Sequence, residues 1–120
     1  MITVFGIKNC DSIKKAKNWL EKHAVPYQFH DYRKDGIDPA LLERLESRVG
    51  WETLLNRRGT TWRKLPDSVR DNIDRQSALA AMLEQPAMIK RPVVIEDTVT
   101  DGRITLVGFD PKEWERTLAT

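Results

Sequence analysis

Apolar positions fall into three regimes along the chain. From Ile2 to Ile7 they run almost without a break (Ile2, Val4, Phe5, Ile7), which predicts a short, largely buried strand. Ile13, Ala16 and Leu20 then recur at helical spacing, with Lys14, Lys15, Lys17, Glu21 and Lys22 on the other face. Val25-Pro26 is expected to stop that helix, because a residue before proline is driven out of the helical region. Tyr27, Phe29 and Asp31 suit a second short strand. Strand, helix and strand in so few residues make a βαβ unit with parallel strands.

The second regime is helical throughout. Asp38-Pro39 predicts a capped start, Leu41, Leu42, Leu45 and Val49 an apolar stripe, and Gly50 an exit. Trp51, Leu54 and Leu55 suggest a short helix, and residues 56–64 (NRRGTTWRK) a loop. Two more helices are expected over about 68–73 and 77–84. The second carries Leu79, Met82 and Leu83 on one face and closes at Gln85-Pro86.

Strand character returns in the third regime. Val93-Val94-Ile95 and Ile104-Thr105-Leu106-Val107 flank Asp101-Gly102, a two-residue hairpin signal. Asp110, Pro111 and Glu113 fit the cap, first-turn proline and third-position carboxylate of a last helix, with Phe109 and Trp114 as a hydrophobic staple. The expected architecture is α/β: βαβ, a helical insertion at about 38–86, then ββα, in one domain over 1–120 with a mixed four-stranded sheet.

Composition narrows the function classes. At 120 residues the chain can bury a core without disulfide or metal staples. A net charge of 20 − 18 = +2 does not announce a nucleic-acid or membrane partner. No apolar run approaches a membrane span and no signal peptide precedes the first strand, so a cytoplasmic location is expected. The single cysteine excludes an internal disulfide and a zinc site built on several thiolates. His23 and His30 stand apart and suggest no metal site, so both are expected as surface or strand-end residues.

That cysteine, Cys10, lies at the strand-to-helix turn Gly6-Ile7-Lys8-Asn9-Cys10-Asp11-Ser12. Helix-start N–H groups there favour a thiolate, Lys8 can add Coulomb attraction, and Ser12 can donate a hydrogen bond; Asp11 opposes on charge. The plain alternative is a small buried residue, but the polar neighbours speak against burial. Ile13 occupies the place of a resolving cysteine, so any redox cycle must use an outside thiol. Arg91-Pro92 at the entrance of the Val93 strand is an ordinary turn by sequence alone. Arg57, Arg58, Arg63 and Lys64 around Trp62 have the ingredients of a nucleic-acid patch. Nearby Glu52, Asp67 and Asp71 favour a solvated loop instead, so nucleic acid is not expected as a partner.

Taken together, the Cys10 turn, His30-Asp31-Tyr32-Arg33, the 54–65 segment around Arg58-Gly59-Thr60-Thr61-Trp62, Arg91-Pro92-Val93 and Gly108-Phe109 resemble the ArsC/Spx family over essentially the whole chain. The likeness is strongest to the YffB branch. The resemblance implies a thioredoxin-like fold and a cis proline at Pro92 facing Cys10. It leaves three functions open. Arsenate reductases surround the oxyanion with arginines; Arg91 matches one, but Asn56, beside Arg57, stands in place of a second and Gly108 in place of a third. Spx-type regulators bind RNA polymerase and commonly carry a CxxC switch, which Ile13 removes. The remaining expectation is a glutathione-dependent thiol reductase with Cys10 as nucleophile and Lys8, Asn9 and Ser12 supporting the thiolate. Arg91 and Arg57 would hold a glutathione carboxylate, and the Pro92 backbone would align the peptide. No tightly bound cofactor is expected, only glutathione as co-substrate or a glutaredoxin-like protein as partner.

Overall fold

The structure, a computed structural model, describes residues 2–8, 10–96 and 105–118. Its contacts group into two units, residues 1–35 with 91–120, and residues 36–90. The first unit holds β1 (Ile2–Gly6), α1 (Asp11–Lys22), β2 (Tyr27–Asp31), β3 (Val93–Glu96), β4 (Thr105–Val107) and α7 (Pro111–Leu118). The sheet order is β2-β1-β3-β4. β1 pairs in parallel with β2, Phe5 opposite His30, and antiparallel with β3, Phe5 opposite Val93. β4 closes the sheet antiparallel to β3. The expected mixed four-stranded sheet is therefore present. The Asp101-Gly102 turn lies outside the described residues.

Side-chain alternation sends Ile2, Val4, Val94 and Leu106 into one core with Ile13, Ala16 and Leu20 of α1 and Trp114 of α7. Phe109 meets Trp114 edge-on at 4.9 Å between ring centroids, the expected staple. The Trp114 indole N–H also donates to the Gly108 carbonyl (3.1 Å). Helix α1 ends at Lys22, ahead of Val25-Pro26, because the chain closes on itself first. Ala24 turns left-handed (φ +55°) and the Val25 N–H bonds the Leu20 carbonyl at 2.9 Å.

The second unit comprises α2 (Pro39–Val49), α3 (Trp51–Leu54), α4 (Thr60–Arg63), α5 (Asp67–Arg70), α6 (Arg75–Glu84) and a 3₁₀ turn, Pro86–Met88. Asp38 caps α2 by accepting the Leu41 N–H (2.8 Å). Two expectations are corrected. The 56–64 segment contains α4 (Thr-Thr-Trp-Arg), which with one aromatic residue in four shows no apolar period for a sequence reading to detect. Helix α6 starts earlier than expected, behind an Asp74–Ser77 capping box, and buries Ala78 and Met82 while Leu79 and Leu83 stay half-exposed. The Arg75 guanidinium forks onto Glu46 of α2 at 2.6 and 2.8 Å.

Candidate functional site

The C-terminal end of β1 organises the site. Gly6 is required there because α1 starts close against it: a Cβ on residue 6 would sit 2.2 Å from Ile13 Cδ1 and 2.8 Å from Ile13 Cγ1. The chain then turns, with the Cys10 N–H reaching the Ile7 carbonyl at 3.4 Å, and Cys10 becomes the N-cap of α1 in extended conformation. Its sulfur is half-buried.

The Cys10 side chain makes no cap hydrogen bond, yet the first-turn N–H groups lie close enough to act on the sulfur electrostatically. Burial, the largest single effect, pushes the Cys10 thiol up. The N–H groups of Ile13 and Ser12, followed by the charge of Arg91 and a hydrogen bond from its side chain, pull it down. Together they prevail, and the thiol lies below its ordinary value. The contribution of Ser12 to this balance comes from its backbone N–H.

Asp31, at the end of β2, is the one charged side chain buried among the described residues (5% exposed). Its Oδ2 accepts the Lys8 N–H (3.1 Å), and its Oδ1 accepts those of Arg33 (2.8 Å) and Lys34 (3.2 Å). One carboxylate therefore ties the chain leading to Cys10 to the turn after β2. Burial pushes its pKa up, but the three N–H groups and the Arg33 charge outweigh that and hold it below the usual carboxylate range. The strand-end acid followed by a polar turn was a legible sign of such side-chain-to-backbone bonding, although not of its reach to Lys8.

The other expected residues fall as follows. The Lys8 side chain is exposed and lines a surface depression of about 360 Å³ with Lys17, Phe29, Asp31, Lys34 and Asp35. Asn9 lies outside the described residues. The Arg91–Pro92 peptide bond is cis, as the family likeness implies. The Pro92 carbonyl accepts the Gly108 N–H (2.8 Å), and a proline has no N–H, so its backbone offers a bound peptide only one remaining lone pair. Arg57 belongs to the helical unit, exposed, with its guanidinium carbon 5.6 Å from the Trp62 ring centre. His23 is exposed and stacks on Trp19 (4.0 Å), whereas His30 is half-buried against Phe5 (5.2 Å). Among the described residues no helix is long and apolar enough to cross a membrane.

The solved structure of a protein named YffB is 46% identical, covering 99% of this chain and 100% of its own, with a TM-score of 0.85. An arsenate reductase (ArsC) related protein from Brucella melitensis is 52% identical, with 96% of this chain and 92% of that one covered and a TM-score of 0.79. The global transcriptional regulator Spx of Streptococcus pneumoniae is 30% identical over 115 residues, 94% of this chain and 82% of the regulator. The fold is that of the thioredoxin-like ArsC proteins. The family model described as the ArsC family matches residues 5–117, and the chain belongs to that family.

Proposed function

We propose that this protein is a glutathione-dependent thiol reductase that works through Cys10 alone. The Cys10 thiolate attacks an oxidised sulfur, a new S–S bond forms, and the electron pair of the broken bond leaves on the departing thiolate. Glutathione, or a glutaredoxin-like protein, then attacks the mixed disulfide and returns Cys10 to its thiolate. The observation that carries this reading is the place of Cys10 at the N-cap of α1, where the first-turn N–H groups and Arg91 lower the thiol pKa against burial. The chain has one cysteine, so the second thiol is external. Arg91 is the cation assigned to a glutathione carboxylate.

Arsenate fits this chain less well than sulfur does. Gly108, in the place of a family arginine, sits at φ +78° with its N–H on Pro92 and its carbonyl on Trp114. A side chain there is strained. Asn56, in the place of another arginine, uses its Oδ1 for the Arg58 N–H (3.1 Å).

The test is incubation with glutathione disulfide, followed by intact mass measurement and turnover of a small disulfide with glutathione. One glutathionyl group should add to the wild type, come off with glutathione, and be absent from Cys10→Ser. A thiol that titrates at or above about 8.5, the value of a free cysteine, sinks the proposal. The 30% identity to Spx favours a second reading as a regulator that binds RNA polymerase. Capture by RNA polymerase that persists in Cys10→Ser, without thiol turnover, would establish that reading instead.

A further inference from the structure

Away from Cys10, the sheet ends on a strand whose outer side is unpaired. β2 is an edge strand, bonded within the sheet to β1 alone. The Tyr32 N–H reaches the Gly6 carbonyl, so Gln28, His30 and Tyr32 turn their backbone groups towards β1. Tyr27, Phe29 and Asp31 therefore turn theirs outward. At Asp31 both groups are taken by Asp35, whose Oδ2 accepts the Asp31 N–H (2.9 Å) and whose N–H donates to the Asp31 carbonyl (2.8 Å). At Tyr27 and Phe29 the outward N–H and carbonyl groups have no partner among the described residues. Such groups are a template for one more strand.

The side chains beside this edge indicate what the added strand carries. Tyr27 and Phe29 lie on the face of the sheet that packs against Ile13, Ala16 and Leu20 of α1. Next to Phe29 lies the depression of about 360 Å³ lined by Lys8, Lys17, Lys34, Asp31 and Asp35. Its two carboxylates are already committed to backbone donors: Asp31 to the N–H groups of Lys8, Arg33 and Lys34, and Asp35 to that of Asp31. Its lysines form no ion pair among the described residues. The half-buried Lys17 instead holds its ammonium over the Phe29 ring, 3.8 Å from the ring centre. A π face is a weaker partner for an ammonium than a carboxylate is.

We propose that the outer edge of β2 is a docking strand for an extended acidic segment of a partner protein. The segment lies alongside Tyr27 and Phe29 and exchanges backbone hydrogen bonds with them, and its residue opposite Phe29 is an aspartate or glutamate. Residues directly opposite one another in a sheet share a face, whichever way the added strand runs. The acidic side chain therefore comes up on the Phe29 face, beside Lys17 and the depression. Main-chain bonds supply the attachment and the lysines select the charge. Asp35 ends the added strand, because it fills the place of the next pair at Asp31. The docking makes no use of the Cys10 sulfur.

The test is a ¹⁵N-amide NMR titration of the full chain at low ionic strength with a capped heptapeptide, Thr-Val-Thr-Glu-Thr-Val-Thr. Within β2 the Tyr27 and Phe29 amide signals should move most. Exchanging the peptide glutamate for glutamine, or the protein for Lys17→Gln/Lys34→Gln, should weaken binding about fivefold. N-methylation of the three central peptide residues removes the donors that a strand needs in either direction and should abolish binding. A glutamine peptide that binds as tightly overturns the acidic partner. Phe29 and Tyr27 signals that stay put at millimolar peptide, or an N-methylated peptide that binds as tightly, overturn strand addition. If the same two signals move with protein concentration in the absence of peptide, the edge belongs to a second copy of this chain and the proposal is overturned.

Discussion

Asp31→Asn probes the brace behind Cys10 with almost no change of shape. The asparagine Oδ1 can still accept from Arg33 and Lys34, but its amide then faces the Lys8 N–H, donor against donor. Losing one charge-assisted bond and leaving a donor unmatched at a buried carboxylate site is worth about 2 kcal/mol. With a urea dependence of about 1.5 kcal/mol per M, the midpoint should fall by about 1.3 M at pH 7 with the slope unchanged. The pH dependence follows from the direction of the Asp31 shift. Its folded pKa lies below the ordinary 3.8, so its contribution is complete above that value and is lost as the pH falls through the folded pKa. Wild type and variant should converge in strong acid. Because the lost contact anchors Lys8, two residues before Cys10, the variant should also alkylate more slowly at Cys10. Equal urea midpoints at pH 7, or a gap that persists undiminished in strong acid, would refute the assignment of this carboxylate as the brace.

Two further changes test the sulfur environment. Arg91→Ala removes one charge and one hydrogen bond from the thiolate while the N–H groups of Ser12 and Ile13 remain, so the Cys10 pKa should rise, read as the midpoint of alkylation rate against pH. An unmoved midpoint would remove Arg91 from the site. Gly6→Ala places a methyl group against Ile13, whose N–H is the largest of the effects lowering the thiol pKa. Thermal or urea unfolding should show a loss of about 1–3 kcal/mol, the usual cost of overpacking, and the Cys10 midpoint should again rise.

Legibility in the sequence tracked the range of the interactions. The Ile13, Ala16, Leu20 stripe and the Asp110 to Trp114 helix start are local patterns, and both stand in the structure as expected. Helix α4 was missed because a single aromatic residue among four carries no period, and the α6 cap because its third position is Ser77 instead of an acid. Cys10 was legible as a lone cysteine at a strand-to-helix turn. The donors that act on it were not: whether a hydroxyl or an N–H of Ser12 points at sulfur depends on backbone geometry. The long-range contacts of Asp31 and Tyr32 escaped notice for the same reason. Their partners are backbone groups at Lys8 and Gly6, more than twenty residues away, reached only once β1 and β2 are paired.

The arrangement around Cys10 also bears on what the sulfur can attack. Within the sheet unit the described cation acting on Cys10 is Arg91, and it is engaged by the thiolate itself. A multiply charged oxyanion brings charge of its own and needs further arginines, and at residue 108 the left-handed glycine is held from both sides by Pro92 and Trp114. The S–S bond of a disulfide brings no charge to the sulfur under attack. The negative charge merely passes from one sulfur to another during attack, so the two helix N–H groups and one arginine that hold it at the start are sufficient. Fixed donors of this kind need no rearrangement to stabilise the charge at Cys10. That balance supports the proposed attack on a disulfide sulfur over attack on an oxyanion.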